Sequence, residues 1–298
     1  MAVTILDGGM GRELERSGAP FRQPEWSALA LIESPVHVGQ AHAAFARSGA
    51  DVITTNSYAV VPFHIGDDRF AADGLRLVRL AGEIARATAD EFGVRVAGSL
   101  PPVLGSYRPD LFNVEDARPI LSVLIEGLSP YADLWLAETQ SSLAEVTLVR
   151  ELLADDARPL WLSFTLEDTN PKAVMSGEQK PQLRSGETVA DAARHALALG
   201  ASALLFNCSQ PEVMEAAVRE ANAVIGDSPV SIGVYANAFA SEADDAAANE
   251  TLHGIRADLT PPNYLQWAQK WVDAGASMVG GCCGISPEHI GALAKALK

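Results

Sequence analysis

The 298-residue sequence contains few basic residues, few aromatic residues and only three cysteines. Its 22 Lys and Arg face 38 Asp and Glu, which gives a formal net charge of −16. A shortage of basic side chains argues against a nucleic-acid partner, because binding a phosphate backbone needs clustered Lys and Arg. It also disfavours anionic membrane surfaces. No apolar run approaches the roughly 20 residues that span a bilayer, so we expect no membrane partner.

Signals of secretion are also missing from the sequence. The N-terminal segment Met1–Gly9 has no basic start, no long apolar stretch and no small-residue cleavage site. Three cysteines are too few, and an odd number, for a disulfide framework of the kind found in secreted proteins. We therefore expect a cytoplasmic protein.

Short apolar runs alternate with longer helical patterns along the whole sequence. The predicted strands are Thr4–Gly9, Asp51–Ser57, Arg95–Leu100, Leu134–Thr139, Leu160–Thr165, Ala203–Ser209, Val230–Asn237 and Met278–Cys283. The predicted helices are Val36–Ser48, Phe70–Phe92, Asp116–Ser129, Leu143–Asp155, Val189–Leu199, Pro211–Val224, Pro262–Ala274 and Pro287–Leu297. Eight strand–helix units predict an α/β fold, a single (β/α)8 TIM barrel over residues 1–298. A doubly wound open sheet remains an alternative, because repeated units alone do not show closure.

Three predicted connections are longer than a barrel requires. They are Pro101–Glu115, Glu167–Gly186 and Ala238–Leu259, and each follows the carboxyl end of a strand. Loops of this length in a compact domain are usually functional. The third contains the acidic segment Ser241–Glu250. This segment is either a solvated acidic loop or a loop whose negative charge attracts a cationic ligand.

The three cysteines all lie at predicted strand ends. Cys208 ends the sixth strand, whereas Cys282 and Cys283 end the eighth beside Gly281 and Gly284. Three thiolates at one rim form a soft ligand set that favours zinc, with a fourth position open as in catalytic sites. Two alternatives stay open at this point: cysteines as small buried apolar residues, and a redox-active pair of Cys282 and Cys283.

Four segments carry a resemblance to a known family. They are Asp7–Leu14 (DGGMGREL), Thr55–Tyr58 (TNSY), Asn207–Cys208 (NC) and Gly280–Gly284 (GGCCG). Together they resemble the zinc-dependent homocysteine S-methyltransferases, from the first strand to the last. The resemblance implies a (β/α)8 barrel that makes methionine from homocysteine and a methyl donor.

The resemblance also implies roles for particular residues. Cys208, Cys282 and Cys283 would hold Zn²⁺ and act through it, with the homocysteine sulfur as fourth ligand. Asp7, Gly8 and Glu138 would lie at the amino-acid end of homocysteine. The further residues expected to bind substrate are Asn56, Asn207 and Tyr235.

The methyl donor is less well defined by the sequence. The chain ends at Lys298, soon after the eighth predicted helix, so we expect neither a folate or cobalamin module nor the extension of betaine-dependent relatives. This favours S-methylmethionine or S-adenosylmethionine as donor and a monomer or small homo-oligomer. The segments 98–107 and 235–239 depart from the common family pattern, so betaine, dimethylsulfoniopropionate or another thiol acceptor are alternatives. A zinc or thiol sensor using Cys282 and Cys283 is the non-enzymatic alternative.

Overall fold

The protein is a closed barrel of eight parallel strands surrounded by helices. The structure is a computed structural model that describes residues 2–239 and 254–298. The strands are hydrogen-bonded in the order β1-β8-β7-β6-β5-β4-β3-β2. A parallel bridge between Leu6 and Val52 joins the first strand to the second and closes the sheet. Closure confirms the predicted TIM barrel and rules out the open-sheet alternative.

The strands are shorter than predicted at several carboxyl ends. Their bounds are β1 Thr4–Ile5, β2 Val52–Thr54, β3 Arg95–Leu100, β4 Leu134–Gln140, β5 Leu160–Phe164, β6 Ala203–Asn207, β7 Ser231–Tyr235 and β8 Met278–Val279. The predicted strand end at Cys283 is wrong, because the chain leaves the regular ladder after Val279 and turns toward the barrel mouth. Similar departures after β1 and β2 free Asp7 and Asn56 to line a cavity.

Twelve α-helices lie in the described residues, four more than the sequence pattern predicts. Their bounds are α1 Met10–Arg16, α2 Ser27–Glu33, α3 Pro35–Arg47, α4 Pro62–Ile65, α5 Asp67–Phe92, α6 Val114–Leu128, α7 Leu143–Leu153, α8 Pro171–Ser176, α9 Val189–Ala198, α10 Pro211–Ile225, α11 Pro261–Asp273 and α12 Pro287–Leu297. The predicted loop Glu167–Gly186 therefore contains a helix, α8. The acidic segment Ser241–Glu250 lies outside the described residues. In the described part of the chain, no helix has both the length and the apolar composition needed to cross a membrane.

Strand residues alternate between two apolar layers. On β4, Leu134 and Leu136 belong to a cluster inside the barrel, whereas Trp135 and Ala137 belong to the larger cluster beneath the helices. A strand buried on both faces must be apolar at nearly every position, which explains the continuous apolar runs of the sequence. The period of two also places Glu138 on the same inner face as Leu136. Polar groups that end the strands are thereby brought to the mouth of the barrel.

A buried histidine in the helical layer has no hydrogen-bond partner within the described structure. His42 of α3 is fully buried, and neither ring nitrogen is paired. Burial lowers the pKa of this imidazole from 6.5 to about 4. As the pH decreases below 6.5, His42 becomes protonated in the unfolded chain, whereas in the folded chain it stays neutral until about pH 4. The free energy of unfolding therefore decreases as the pH is lowered from 6.5 to 4.

We expect His42→Leu to stabilise the fold, and more so at low pH. Removing the two unpaired nitrogens is worth about 1 kcal/mol at pH 7. At pH 5 the stabilisation should be about 2 kcal/mol larger, because the wild type must keep the His42 imidazole neutral in the folded state while the unfolded state is protonated. Urea denaturation at both pH values measures the difference. His37→Leu on the same helix is the control, because His37 is half-buried and its Nδ1 lies 2.7 Å from Ser34 Oγ. An equal stabilisation by His42→Leu at pH 7 and pH 5 would contradict the assignment.

Candidate active site

Three cysteine sulfurs meet at the mouth of the barrel. Cys208 directly follows β6, and Cys282 and Cys283 follow β8. The three Sγ atoms lie within 4.8 Å of one another. In the structure Cys208 and Cys282 form a disulfide, while Cys283 is a free thiol. The pairing considered from the sequence, Cys282 with Cys283, is therefore not the one formed.

The donor set fits zinc once the disulfide is reduced. Tetrahedral Zn–S bonds of about 2.3 Å place sulfurs about 3.8 Å apart, which is compatible with the spread of this cluster. Cys283 contributes the third sulfur, and burial raises the pKa of its thiol above the usual range. Such a thiol stays protonated at neutral pH and is inert by itself, whereas a bound metal would hold it as thiolate.

Unusual backbone conformations bring the cysteines inward. Cys208 has φ +47°, a left-handed value that is rare for a residue with a side chain. Its carbonyl oxygen accepts hydrogen bonds from Tyr107 Oη and Thr165 Oγ1, both at 3.4 Å. On the other strand end, a Cβ at Gly281 would lie 2.1 Å from Ile285 Cγ2, so only glycine fits directly before the pair. The two segments are therefore shaped for the positions of the sulfurs.

Two buried carboxylates lie in the same cavity as the sulfurs. Asp7 accepts hydrogen bonds from the backbone N and Oγ1 of Thr54, at 2.7 and 3.1 Å. Glu138 accepts a short hydrogen bond from Ser99 Oγ. Burial raises the pKa of both carboxyl groups to about 7, and the charge of Glu138 contributes to the rise at Asp7. A pair of desolvated acids is a site for a cationic group, because a cation restores their ionised form.

Aromatic side chains form the remaining wall of the cavity. Trp26, Tyr58, Tyr107 and Tyr235 all line it. Trp26 and Tyr58 pack edge to face with ring centres 6.3 Å apart, and Tyr58 Oη lies 2.6 Å from Ser106 Oγ. The cavity, with a volume of about 110 Å³, thus combines sulfur, carboxylate and aromatic surfaces.

Comparison with known proteins identifies the family. The homocysteine S-methyltransferase profile matches residues 4–297, nearly the whole chain. The chain belongs to this family. A selenocysteine methyltransferase of Astragalus bisulcatus is 27% identical over 334 residues, covering 99% of this chain and 92% of that protein. Homocysteine S-methyltransferase 3 of Arabidopsis thaliana is 29% identical over 326 residues, covering 98% and 89%.

A solved structure agrees with the profile. The metallated form of the homocysteine methyltransferase MmuM from Escherichia coli matches with a TM-score of 0.78 and 26% sequence identity. The match covers 99% of this chain and 96% of that one. The chain is therefore an enzyme of the homocysteine S-methyltransferase family with the TIM-barrel fold, as the sequence motifs predicted.

The structure brings most of the predicted site residues of this methyltransferase into one cavity. Its lining includes Asp7, Gly8, Asn56, Glu138, Tyr235, Cys208, Cys282 and Cys283. Asn207 lies beneath them, fully buried. Its Oδ1 accepts from Thr139 N at 3.1 Å and Ser163 Oγ at 2.8 Å, and its Nδ2 donates to Thr139 Oγ1 at 2.8 Å. Asn207 thus ties neighbouring strand ends together directly before Cys208.

Sequence reasoning assigned no individual role to two aromatic residues of the cavity. Trp26 and Tyr107 both have positive φ values, +46° and +64°. A Cβ at Gly11 would lie 2.4 Å from Trp26 Nε1, so Gly11 makes room for the indole. The departure from the family pattern in segment 98–107, which ends at Tyr107, marked the second of these residues, whereas no such signal marked Trp26.

Proposed function

We propose that the enzyme transfers a methyl group from a sulfonium donor, S-methylmethionine or S-adenosylmethionine, to the sulfur of homocysteine. The products are methionine and a neutral thioether. The observation that carries the proposal is one cavity holding three converging sulfurs, two desolvated carboxylates and an aromatic wall. Each surface matches one part of the two substrates.

The cysteine cluster is proposed to hold Zn²⁺ through Cys208, Cys282 and Cys283. When bound, zinc supplies a Lewis acid that keeps a thiol in its thiolate form at neutral pH. The cluster lies at the cavity wall, so the homocysteine sulfur would arrive beside the three protein sulfurs. The reduced form of the Cys208–Cys282 pair is required, because a disulfide sulfur is no thiolate ligand.

The carboxylates are proposed to bind the homocysteine ammonium group. Asp7 is oriented by Thr54 and Glu138 by Ser99, so both acids are fixed before the substrate arrives. The backbone at Gly8, which also lines the cavity, is assigned to the substrate carboxylate. Holding the amino-acid end at these points places the sulfur at the cysteines. Positioning of this kind can supply about 7–11 kcal/mol toward a reaction between two bound molecules.

The aromatic wall is proposed to receive the positively charged donor. Aromatic faces attract cations, most strongly when water is excluded, and Trp26, Tyr58 and Tyr107 offer such faces beside the sulfurs. The homocysteine thiolate then forms a new S–C bond to the methyl group. The donor C–S bond breaks toward the donor sulfur, which becomes neutral.

A donor panel tests the proposal directly. Reduced, zinc-loaded enzyme is mixed with homocysteine and, separately, S-methylmethionine, S-adenosylmethionine, betaine or dimethylsulfoniopropionate, and methionine is measured by mass spectrometry. We expect turnover with a sulfonium amino acid to exceed turnover with betaine by at least about tenfold, because a thioether is a weaker base and a better leaving group than the tertiary amine that betaine would release. Betaine as the best donor would overturn the sulfonium assignment. The family assignment makes the chain an enzyme, so the sensor hypothesis is not kept.

A cytoplasmic location and a monomer or small homo-oligomer remain part of this proposal. The cytoplasmic location is supported by the low cysteine content, three residues in 298. Size-exclusion chromatography with light scattering measures the oligomeric state.

A further inference from the structure

Two of the long connections meet behind the aromatic wall. Tyr107 lies in the connection after β3, residues 101–113, whereas Asp168 and Arg184 lie in the connection after β5, residues 165–188. The Arg184 guanidinium carbon is 4.8 Å from the centre of the Tyr107 ring. This distance is within the range of a cation–π contact, so the arginine covers one face of the tyrosine. The stack joins two loops that are far apart in sequence.

Arg184 is itself held on a buried carboxylate. Its Nη2 donates to Asp168 Oδ1 at 2.5 Å. Asp168 is only 8% exposed, and its second oxygen accepts from Gln210 N at 2.9 Å. Gln210 Nε2 also donates to the Asp168 carbonyl at 3.0 Å. Arg184 therefore has little freedom to leave Tyr107.

Tyr107 needs this support because its own backbone is strained. Its φ of +64° is unfavourable for a bulky residue, and such conformations persist only where surrounding contacts enforce them. The other anchor of the side chain is the hydrogen bond from Oη to the Cys208 carbonyl. Tyr107 thus connects the cavity wall to the backbone of a cysteine in the cluster.

The charge of the ion pair suits a wall for a cationic donor. An isolated arginine behind Tyr107 would repel a sulfonium group on the cavity side. Asp168 cancels most of that field at a separation of 2.5 Å, while the planar guanidinium keeps its contact with the ring. Arg184 does not line the cavity, so its influence on the donor passes through Tyr107.

We propose that Arg184 is a positioning residue that sets the choice of methyl donor by fixing Tyr107. This inference rests on the proposed function. A fixed Tyr107 keeps the connection after β3 tied to that after β5 and confines the donor half of the cavity. It favours S-methylmethionine over S-adenosylmethionine, whose adenosyl group needs more room. Release of Tyr107 weakens the wall for the small donor and relaxes the exclusion of the large one.

The test compares Arg184→Met with three further variants. Arg184→Lys keeps the charge next to Asp168 but loses the flat guanidinium contact, and we expect it to be intermediate. Tyr107→Leu and the double variant Arg184→Met/Tyr107→Leu show whether the arginine acts through the tyrosine. Arg194→Met is the matched control, because Arg194 of α9 forms an exposed ion pair with Asp191 at 2.6 Å. Melting temperatures establish that each variant is folded.

The expected result is a selective change on the donor side. In Arg184→Met we expect the KM for S-methylmethionine to rise about tenfold, with the KM for homocysteine changed less than about twofold. The ratio of kcat/KM for S-methylmethionine over S-adenosylmethionine should fall about tenfold, and the double variant should match Tyr107→Leu. In Arg184→Met, hydrogen exchange measured by mass spectrometry should become faster in residues 101–113. In the control Arg194→Met, the exchange of these residues should equal that of the wild type.

Different outcomes separate this inference from the proposed function. Suppose that the wild type is active but Arg184→Met keeps the same donor preference, or that its KM values for S-methylmethionine and homocysteine rise equally. Either result would overturn the role of Arg184 and leave the proposed function in place. Additive effects in the double variant would do the same. A wild type inactive with every donor would overturn the proposed function and the donor preference together. Hydrogen exchange can be measured even in that case, and unchanged hydrogen exchange in residues 101–113 of Arg184→Met would overturn the positioning of Tyr107. If Arg184→Met does not fold, Arg184→Lys and Tyr107→Leu carry the comparison.

Discussion

Cys208→Ser is expected to abolish stoichiometric zinc binding and to lower turnover by on the order of a thousandfold or more. A serine hydroxyl is a hard oxygen donor that stays protonated at neutral pH, so it does not replace a thiolate. Cys208 is one of three sulfurs within 4.8 Å of one another, and the loss of one leaves two protein ligands. Without the metal, the homocysteine sulfur is neither held nor kept as thiolate, so both positioning and activation are lost.

The measurement pairs metal content with activity. The wild type and the variant are purified under reducing conditions, because the Cys208–Cys282 disulfide prevents these sulfurs from binding metal. The zinc content per chain is measured by inductively coupled plasma mass spectrometry, and methionine formation is measured as in the donor panel. Met214→Leu is the control, since Met214 is a fully buried sulfur residue of α10 outside the cavity lining. One zinc per chain and full turnover in Cys208→Ser would show that the cysteine cluster is not the metal site.

Glu138→Gln is expected to raise the KM for homocysteine about a hundredfold while leaving the KM for the donor nearly unchanged. The substitution keeps the size of the side chain but removes the charge that pairs with the ammonium group. Losing one charged partner of a buried pair costs about 2–5 kcal/mol, and about 2.7 kcal/mol corresponds to a hundredfold. Ser99 can still hydrogen-bond to the amide oxygen, so the local geometry has a partner.

The same carboxylates predict a pH dependence. In the empty site the pKa of Asp7 and that of Glu138 are both raised to about 7. The ammonium group binds the ionised acids, so the contribution of these two acids to homocysteine affinity should be nearly constant above pH 8 and weaken as pH falls through 7. The part of the pH dependence that Glu138→Gln removes reports this contribution, because ionisation of the substrate thiol is common to both enzymes. In Glu138→Gln one titrating group is gone, and the dependence should be shallower. Calorimetric titration of homocysteine between pH 6 and 8.5 measures both curves. A wild-type affinity independent of pH across this range would contradict the assignment of these acids.

Much of the barrel is predictable because its strands are buried on both faces. The continuous apolar runs of β4 and β5 reflect full burial of every residue, and this signal does not depend on distant contacts. The short helices α1, α2, α4 and α8 have four to seven residues, too few for an amphipathic period to be visible. Their formation depends on tertiary packing, which single-sequence patterns do not contain.

The site divides along the same line. The cysteines were predictable because they follow the carboxyl ends of β6 and β8, and strand order fixes where these ends meet. The places of Trp26 and Tyr107 were not, because both lie in loops with positive φ that are fixed by contacts distant in sequence. Asn207 illustrates an intermediate case. Its parity with Leu205 on β6 puts it on the inner face, one layer below the cavity, and this register could have been read from the alternation.

The pairing of β1 with β8 has a consequence for how the site assembles during protein synthesis. Thr4 pairs with Met278, and Gly281 N donates to the Asp7 carbonyl at 2.9 Å, so segments from the two ends of the sequence line the cavity side by side. During synthesis Asp7 and Glu138 emerge from the ribosome long before Cys282 and Cys283. A nascent chain therefore cannot assemble the thiol cluster until its final strand has left the ribosome. With zinc at the proposed site, metal loading is thus a step that follows translation of nearly the entire barrel.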